Sequence, residues 1–279
     1  MGASRAERLR IYFGPSGADC SRRAPACRQA SLTDSCTCAD SVVSVVSVVK
    51  ESNRPAVRRL AVLIASLWCL AAIAQPAETG DFLAPDLVEL SRLDASIHLD
   101  IRYATSNNFT GHKLYAQARA FLQRPAAEAL LRTHRALKAQ GYGLLVFDGY
   151  RPWSVTKAFW DATPPDKHKF VADPQKGSRH NRGCAVDVGL YHLRTGKEVA
   201  MPSAFDEMSD RAAADYQGGT PDQRRTRALL RQALEKEGFK VNPDEWWHFD
   251  YQDWRLYRVL DLPFAEIHPS PRAPDAGRL

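Results

Sequence analysis

SRHNRGCAVD, residues 178–187, carries two residue types that bind metal ions, His180 and Asp187, on either side of Gly183. The two side chains are seven positions apart, so on one regular strand they would point to opposite faces. Gly183 removes the conflict, because a glycine turn allows His180 to lie in a loop while Asp187 enters the strand that follows. The stretch therefore predicts a loop-to-strand junction at which both side chains approach one point.

A second segment, EWWH at residues 245–248, adds another histidine. Zinc in a hydrolase takes three protein ligands from His, Asp, Glu and Cys, and it keeps one position open for water. His180, Asp187 and His248 meet that count, and we expect His248 to arrive from a neighbouring aromatic strand. The two segments together predict a single zinc site.

Two further side chains complete a hydrolytic site in this interpretation. Glu245, three residues before His248, would stay off the metal and act as the general base for the attacking water. Arg151 is held by Pro152 at the end of a predicted strand, and it is the candidate for stabilising the oxyanion. The alternative for Arg151 is a purely structural role, in which it hydrogen-bonds backbone carbonyls of its turn.

Other residues of the two segments favour structural roles. Trp246 and Trp247 are expected to pack in the core, and Cys184 to be a small buried side chain rather than a nucleophile. His192 is an alternative metal ligand that ranks below His248. Four histidines have no partner in the sequence and are expected to face solvent, namely His112, His134, His168 and His268.

Periodicity and turn residues predict interleaved strands and helices. Strands are expected at 97–103, 144–147, 184–191 and 246–251, and helices at 125–140, 152–161 and 221–237. The connections are hairpin-like or irregular loops. We therefore expect a single compact α+β domain, with a mostly antiparallel sheet flanked by helices and the zinc site at the sheet.

The charge distribution excludes a nucleic-acid partner. The whole chain has a formal net charge of +6, which at first favours binding to an anionic polymer. Residues 1–74, however, hold 10 of the 38 basic and 5 of the 32 acidic residues, which leaves 28 and 27 in residues 75–279. Five of the six cysteines also precede residue 75. The body is thus nearly neutral and has no internal disulfide.

Residues 54–74 have the layout of a secretory signal peptide, with a basic start, an apolar run of about 15 residues and Ala72-Ile73-Ala74 at the cleavage position. The run is shorter than the roughly 20 residues that span a bilayer. We expect cleavage after Ala74, no stable membrane anchor, and a periplasmic or secreted protein. Residues 1–53 are expected to be a leader without a fold, disordered or upstream of the true start. The domain is expected to occupy 75–262, followed by a mobile Pro-rich tail at 263–279.

The pattern Ser-x-His-x-x-Gly-x-Ala-x-Asp followed by Glu-x-x-His resembles that of the zinc D-alanyl-D-alanine dipeptidases, relatives of the vancomycin-resistance dipeptidase and of the wider D,D-carboxypeptidases. Further matches are YAT at 103–105, NFTG at 108–111, DGYRP at 148–152 and FD at 205–206. The resemblance covers roughly residues 94–251. Several matches in a fixed order are more specific than one motif.

The resemblance implies a role for eight residues. They are, as zinc ligands, His180, Asp187 and His248; as general base and carbonyl-polarising group, Glu245 and Arg151; and as contacts for the two ends of a zwitterionic dipeptide, Ser178, Tyr103 and Asp206. The partner is then a small dipeptide, and its D-stereochemistry follows from the resemblance alone.

Two alternatives share these features, and the oligomeric state stays open. A D,D- or L,D-carboxypeptidase acting on longer peptidoglycan stem peptides would use the same ligands in a more open pocket. A wall-binding zinc module without catalysis would keep the ligands only. The presence of both Glu245 and Arg151 argues against the second alternative, because a pure binding module needs no base beside its metal.

Overall fold

The computed structural model describes residues 74–268 of the chain. Its strands are β1 (Leu87–Glu89), β2 (His98–Leu99), β3 (Phe121–Gln123), β4 (Tyr142–Asp148), β5 (Ala185–His192), β6 (Phe239–Asn242) and β7 (Glu245–Tyr251). Its helices are α1 (Leu90–Leu93), α2 (Arg124–Lys138), α3 (Trp153–Ala162) and α4 (Pro221–Glu235). The expectations for residues 1–73 and 269–279 lie outside the described residues.

Five strands form one mixed sheet in the order β2-β4-β5-β7-β6, and β1 pairs with β3 in a separate two-stranded sheet. Only β2 and β4 run parallel among the strand pairs of residues 74–268. Such a pair needs a long crossover, and here β3 and α2 supply it. The expected α+β domain with a mostly antiparallel sheet is confirmed.

The two long helices form where the sequence predicts them. In α4, the Thr220 hydroxyl accepts a hydrogen bond from the Gln223 amide, the Gln223 side-chain oxygen accepts one from the Thr220 amide, and Pro221 opens the first turn. Helix α2 packs against β4 and α4, and α4 packs against β6 and β7. The helices therefore support the central strands, which carry the site.

The strand expected at 97–103 is shorter than predicted. Only His98–Leu99 pair with β4, and Arg102–Ala104 form a 3₁₀ turn in which the Ala104 amide bonds to the Ile101 carbonyl. Alternating apolar residues cannot distinguish these two outcomes, because both bury every second or third side chain. The turn buries Tyr103, whose side chain enters the pocket described below.

The aromatic residues of β7 belong to the core, as predicted. Trp246 and Trp247 are both buried, and the Trp246 indole N–H donates to the Ser203 hydroxyl at 2.9 Å. Cys184 is fully buried, and burial raises the pKa of its thiol to about 12. A thiol protonated at neutral pH is a poor nucleophile, in agreement with its predicted packing role.

The carboxyl-terminal boundary lies further along the chain than expected. Phe264 and Ile267 are buried in the core, so the packed domain extends beyond residue 262 into the segment that we assigned to the tail. Apolar side chains that follow a proline can still reach the core. None of the helices within residues 74–268 has the length and apolar character needed to cross a membrane.

The expectation that His134 faces solvent is wrong. His134 lies in α2 and is fully buried, and the Leu144 amide donates to its Nδ1 at 3.1 Å. Nδ1 therefore carries no proton, and Nε2 donates its hydrogen to the Ser96 hydroxyl at 2.9 Å. Ser96 in turn donates to Asp94. The ring is neutral, and burial lowers its pKa.

This histidine makes stability depend on pH. Its pKa in the folded state lies below the unfolded value of about 6.5, so only the unfolded chain takes up a proton as the pH falls below that value. His134→Gln keeps an acceptor for Leu144 and does not titrate. In urea titrations between pH 8 and 5, we expect the free energy of unfolding to fall more steeply in wild type than in His134→Gln, by up to about 1.4 kcal/mol per pH unit. The exposed-residue control His112→Gln should follow wild type, and parallel curves for His134→Gln would contradict the assignment.

Candidate active site

Three neighbouring strands place acidic and histidine side chains in one row. Asp148 pairs with Asp187 across β4 and β5, and Asp187 pairs with His248 across β5 and β7. The register of β4 shifts between Val146 and Asp148. Such bulges redirect side chains and are common beside active sites. The expected arrival of His248 from a neighbouring strand is confirmed.

His180 enters this row from a loop, as the sequence predicts. It begins a 3₁₀ turn that ends at Gly183, whose φ of 67° lies in the left-handed region. A Cβ atom at Gly183 would lie 2.6 Å from Leu87 Cδ2, so a larger residue would need a shift in β1. Glycine therefore provides both the turn and the close packing that bring His180 to Asp187.

The donor atoms of the three ligand candidates meet at one point. His180 Nε2 lies 3.0 Å from His248 Nδ1 and 3.3 Å from Asp187 Oδ1. His248 Nδ1 lies 3.1 Å from the same carboxylate oxygen. These three residues form a group that could hold a metal ion.

The hydrogen bonds on the far side of each ring fix which nitrogen is free. His180 Nδ1 lies 2.7 Å from the Gly149 carbonyl oxygen, which can only accept, so Nδ1 carries the hydrogen. His248 Nε2 lies 2.9 Å from Asp250 Oδ1 and likewise donates. Both remaining nitrogens therefore present lone pairs to one carboxylate oxygen, and these three acceptors call for a cation between them.

The geometry also fits the size of the ion. Ligands about 2.0–2.1 Å from a tetrahedral zinc are about 3.3 Å apart, and the observed separations are 3.0, 3.1 and 3.3 Å. Two imidazoles and one carboxylate are a common donor set for a catalytic site with an open fourth position. The donor set thus fits the ion that the sequence predicts.

Glu245 lies beside the donor group rather than in it. Its Oε2 is 3.9 Å from His248 Nδ1 and accepts a hydrogen bond from Asn242 Nδ2 at 3.0 Å. Residues three apart on a regular strand face opposite sides. A register shift at the β6–β7 pair, where Val241 pairs with Phe249 but Asn242 pairs with Glu245, allows both side chains to face the pocket. Burial raises the pKa of Glu245 to about 7.

Arg151 is buried and pairs with carboxylates, not with the carbonyls of its own turn. Its Nε and Nη2 both lie 2.8 Å from Asp148 Oδ2, and Nη2 lies 3.6 Å from Asp187 Oδ2. The guanidinium also lies over the Phe159 ring, 4.5 Å from its centre. The Arg151 guanidinium is thus held next to Asp187, one of the candidate metal ligands.

All eight residues predicted for the site line one cavity of about 230 Å³. Away from the donor group, the Tyr103 hydroxyl donates to Asp206 Oδ1 at 2.8 Å. Asp206 has a φ of 63°, and its Oδ2 is the one buried side-chain N or O atom without a hydrogen-bond partner among residues 74–268. Burial raises the pKa of Asp206 to about 8. A buried, unpartnered carboxylate oxygen marks a place for a ligand donor.

Sequence reasoning missed three residues of this site and weighed one alternative. Asp148 orients Arg151, and its place at a strand end could have indicated it. Asp250 orients His248, and it could have been found because it lies two positions from that ligand on the same strand. Asn242 gives no signal, because its contact with Glu245 depends on the irregular hairpin. The alternative ligand His192 is exposed and pairs with Tyr142, at the opposite end of β5 from Asp187.

Comparisons with known proteins relate the chain to one family. A family model described as D-ala-D-ala dipeptidase, of the M15 peptidases, matches residues 84–267. The D-alanyl-D-alanine dipeptidase of Escherichia coli (strain K12) is 33% identical over 180 residues, which cover 64% of this chain and 92% of that protein. That of Enterococcus faecalis (strain V583) is 34% identical over 197 residues, covering 63% of this chain and 94% of that protein. Among solved structures, the LdcB LD-carboxypeptidase aligns with a TM-score of 0.34 and 22% identity, over 62% of this chain and 71% of that one. Since the family model matches well over half of its length, the chain belongs to the D-ala-D-ala dipeptidase family of M15 peptidases.

Proposed function

We propose that this protein hydrolyses the D-alanyl-D-alanine dipeptide to two D-alanines with one zinc ion per chain, in cell-wall peptide metabolism. The observation that carries the proposal is the arrangement of one cavity. Two ring nitrogens and a carboxylate oxygen converge in this cavity, and Glu245 lies next to them. The same cavity is lined by Asp206, whose Oδ2 has no hydrogen-bond partner. A small zwitterion can meet both features.

The chain's own groups divide the chemistry between them. The ion, when bound by His180, Asp187 and His248, acidifies a water molecule and polarises a carbonyl oxygen. Glu245 accepts a proton from the attacking water as its oxygen bonds to the scissile carbonyl carbon, and it delivers that proton to the leaving amine as the C–N bond breaks. The Arg151 guanidinium stabilises the negative charge that develops on the carbonyl oxygen.

The two ends of the dipeptide have complementary partners. Asp206 offers its free Oδ2 to the substrate ammonium, while Tyr103 holds the other carboxylate oxygen. The Ser178 hydroxyl accepts a bond from the His180 amide, which leaves its own hydrogen to donate to the substrate carboxylate. A pocket with an acceptor for a free ammonium favours dipeptides over longer chains, whose peptide nitrogen at that position carries no charge.

A panel of peptides tests this proposal. The zinc-loaded full chain is assayed with D-Ala-D-Ala, L-Ala-L-Ala, and tri- to pentapeptides that end in D-Ala. We expect turnover of D-Ala-D-Ala alone. Cleavage restricted to the longer peptides would replace the dipeptidase with a carboxypeptidase, and absence of cleavage throughout would favour a binding module.

Asp206→Asn tests the ammonium contact. Asparagine tolerates the left-handed backbone at this position, so the variant replaces the carboxyl group by an amide of the same shape that cannot ionise. We expect KM for D-Ala-D-Ala to rise about 10- to 100-fold, because a hydrogen bond to a charged group contributes about 1.5–3 kcal/mol. N-acetyl-D-Ala-D-Ala lacks the ammonium, and as an inhibitor of D-Ala-D-Ala hydrolysis it should have similar Ki values for wild type and variant. Asp244→Asn, an exposed acidic residue on the same cavity, is the matched control, and an equal rise in its KM would contradict a specific contact.

We also propose that the protein is exported and acts in the periplasm or outside the cell, on dipeptide derived from peptidoglycan. The support is the layout of residues 54–74, with cleavage after Ala74. A reporter fused after residue 90 should be recovered outside the cytosol, and sequencing of the mature amino terminus should begin at Gln75. Retention of the reporter in the cytosol would reject export.

A further inference from the structure

The Asp148 carboxylate has all of its hydrogen-bonding positions filled. Oδ1 accepts from the Tyr115 hydroxyl at 2.8 Å and from the Gly149 amide at 2.9 Å. Oδ2 accepts from Nε and Nη2 of Arg151, both at 2.8 Å. Asp148 is only 1% exposed, so water does not compete for these bonds. The Arg151 guanidinium is therefore held at a single carboxylate oxygen.

That arrangement is not the one that an isolated pair would choose. Arginine and a carboxylate prefer a fork in which two N–H groups meet two oxygens in parallel. Here the second oxygen is occupied by Tyr115 and Gly149, so the fork cannot form. The single-oxygen contact leaves Nη2 3.6 Å from Asp187 Oδ2, on the side of the metal ligands.

Tyr115 is itself fixed in place. Its side chain is buried, and its amide donates to the Tyr103 carbonyl at 2.8 Å. Its ring meets Tyr103 edge-on and packs against Phe264, with centroids 5.8 and 4.8 Å apart. Tyr115 thus packs against Tyr103, the residue that holds Asp206.

We propose that Tyr115 is a positioning residue: by occupying Oδ1 of Asp148, it keeps the Arg151 guanidinium turned toward the reacting carbonyl instead of forked onto Asp148. This inference rests on the proposed function, in which Arg151 contacts the developing oxyanion. Tyr115 touches neither the substrate nor the metal in this scheme. Loss of its hydroxyl leaves Oδ1 with the Gly149 amide alone. The vacated acceptor position then lets the guanidinium form the fork, and Arg151 moves away from the charge that it stabilises.

The test compares Tyr115→Phe with Tyr150→Phe. Tyr150 is an equally buried tyrosine whose hydroxyl bonds to Leu262, donating to its carbonyl at 3.0 Å and accepting from its amide at 2.7 Å, rather than to Asp148. For each zinc-loaded full chain, kcat and KM for D-Ala-D-Ala, zinc content, Tm, and Ki for a phosphinate analogue of the dipeptide are measured. The phosphinate carries a charged tetrahedral group in place of the scissile carbonyl.

We expect Tyr115→Phe to lower kcat about tenfold and to raise Ki for the phosphinate by the same factor. A displaced donor costs less than a removed one, whose loss lowers kcat by about 10²–10³-fold. KM and zinc content should stay within twofold of wild type. Tyr150→Phe should lower Tm about as much as Tyr115→Phe does, and it should leave kcat and Ki unchanged. Asp148→Asn should reproduce the loss of kcat, and the double variant with Tyr115→Phe should lose no more, since both act through Arg151.

Arg151→Ala separates failure of this inference from failure of the proposed function. If Arg151→Ala loses at least 100-fold in kcat and phosphinate affinity while Tyr115→Phe matches wild type, the positioning role is wrong and the function stands. If Arg151→Ala keeps both values, the assignment of Arg151 itself is wrong. If Tyr115→Phe does not fold, the double variant of Asp148→Asn with Arg151→Ala is compared with Arg151→Ala alone. A larger loss of kcat in the double variant overturns the inference, and an equal loss supports it.

Discussion

Replacing Glu245 by glutamine is expected to lower kcat for D-Ala-D-Ala by about 10²–10⁴-fold, the usual contribution of a positioned general base. The amide has the same shape and can still accept the hydrogen bond from Asn242 Nδ2. It does not accept a proton, so the attacking water loses its base and the leaving amine loses its acid. Since Glu245 stands 3.9 Å from His248 Nδ1, outside the donor group, KM and bound zinc should change little.

Steady-state kinetics and metal analysis of the same samples check this result. Glu207→Gln is the matched control, because Glu207 lines the same cavity and bonds to Ser209 rather than to any residue of the proposed mechanism. Glu245→Gln with turnover near wild type would reject the assigned base. A loss of zinc in proportion to the loss of kcat would make Glu245 a metal ligand instead.

Removal of the metal is expected to abolish turnover and to destabilise the fold. Without an ion, two ring nitrogens and a carboxylate oxygen face one another at 3.0–3.3 Å as acceptors. An ion that binds only the folded chain stabilises it by about 4 kcal/mol when its free concentration is about 1,000 times Kd. We therefore expect dialysis against a chelator to lower Tm by several degrees, and added zinc to restore both Tm and kcat.

Histidine variants give this experiment its internal comparison. His180→Gln should resemble the chelated wild type and show no response to zinc. His192→Gln, at the exposed far end of β5, should respond like wild type. Turnover that persists in wild type with less than about a tenth of an ion per chain would contradict a metal-dependent mechanism.

Much of the site is predictable because its ligands carry local signals. Gly183 predicts the turn that brings His180 to Asp187, and in the structure this turn ends at Gly183 in the left-handed conformation. The strand that carries His248 is predicted equally well from its run of aromatic residues between Trp246 and Tyr251. Their chemical roles, like those of Ser178 and Asp206, stay predictions until the variants are measured.

The contacts that support the site residues are harder to predict from the sequence, since they join segments far apart in the chain. Tyr115 meets Asp148 across 33 positions, and Tyr103 meets Asp206 across 103. His134 looked like an exposed polar residue of α2, yet it is buried by β4 and the segment around Ser96. A pattern of one helix reports which face is apolar, but it does not report that a neighbouring segment will satisfy a polar group on that face.

The residue types and their spacing thus specify a zinc-type donor set, a base beside it and an α+β framework, because ligand chemistry and backbone propensity are local properties. Folding adds what no local property contains. Two irregular strand pairings place Asp148 beside Arg151 and turn Glu245 into the cavity, where the Asp206 oxygen is left without a partner. Strand register and the satisfaction of buried polar atoms depend on which segments meet, so they are settled only when the sheet has assembled.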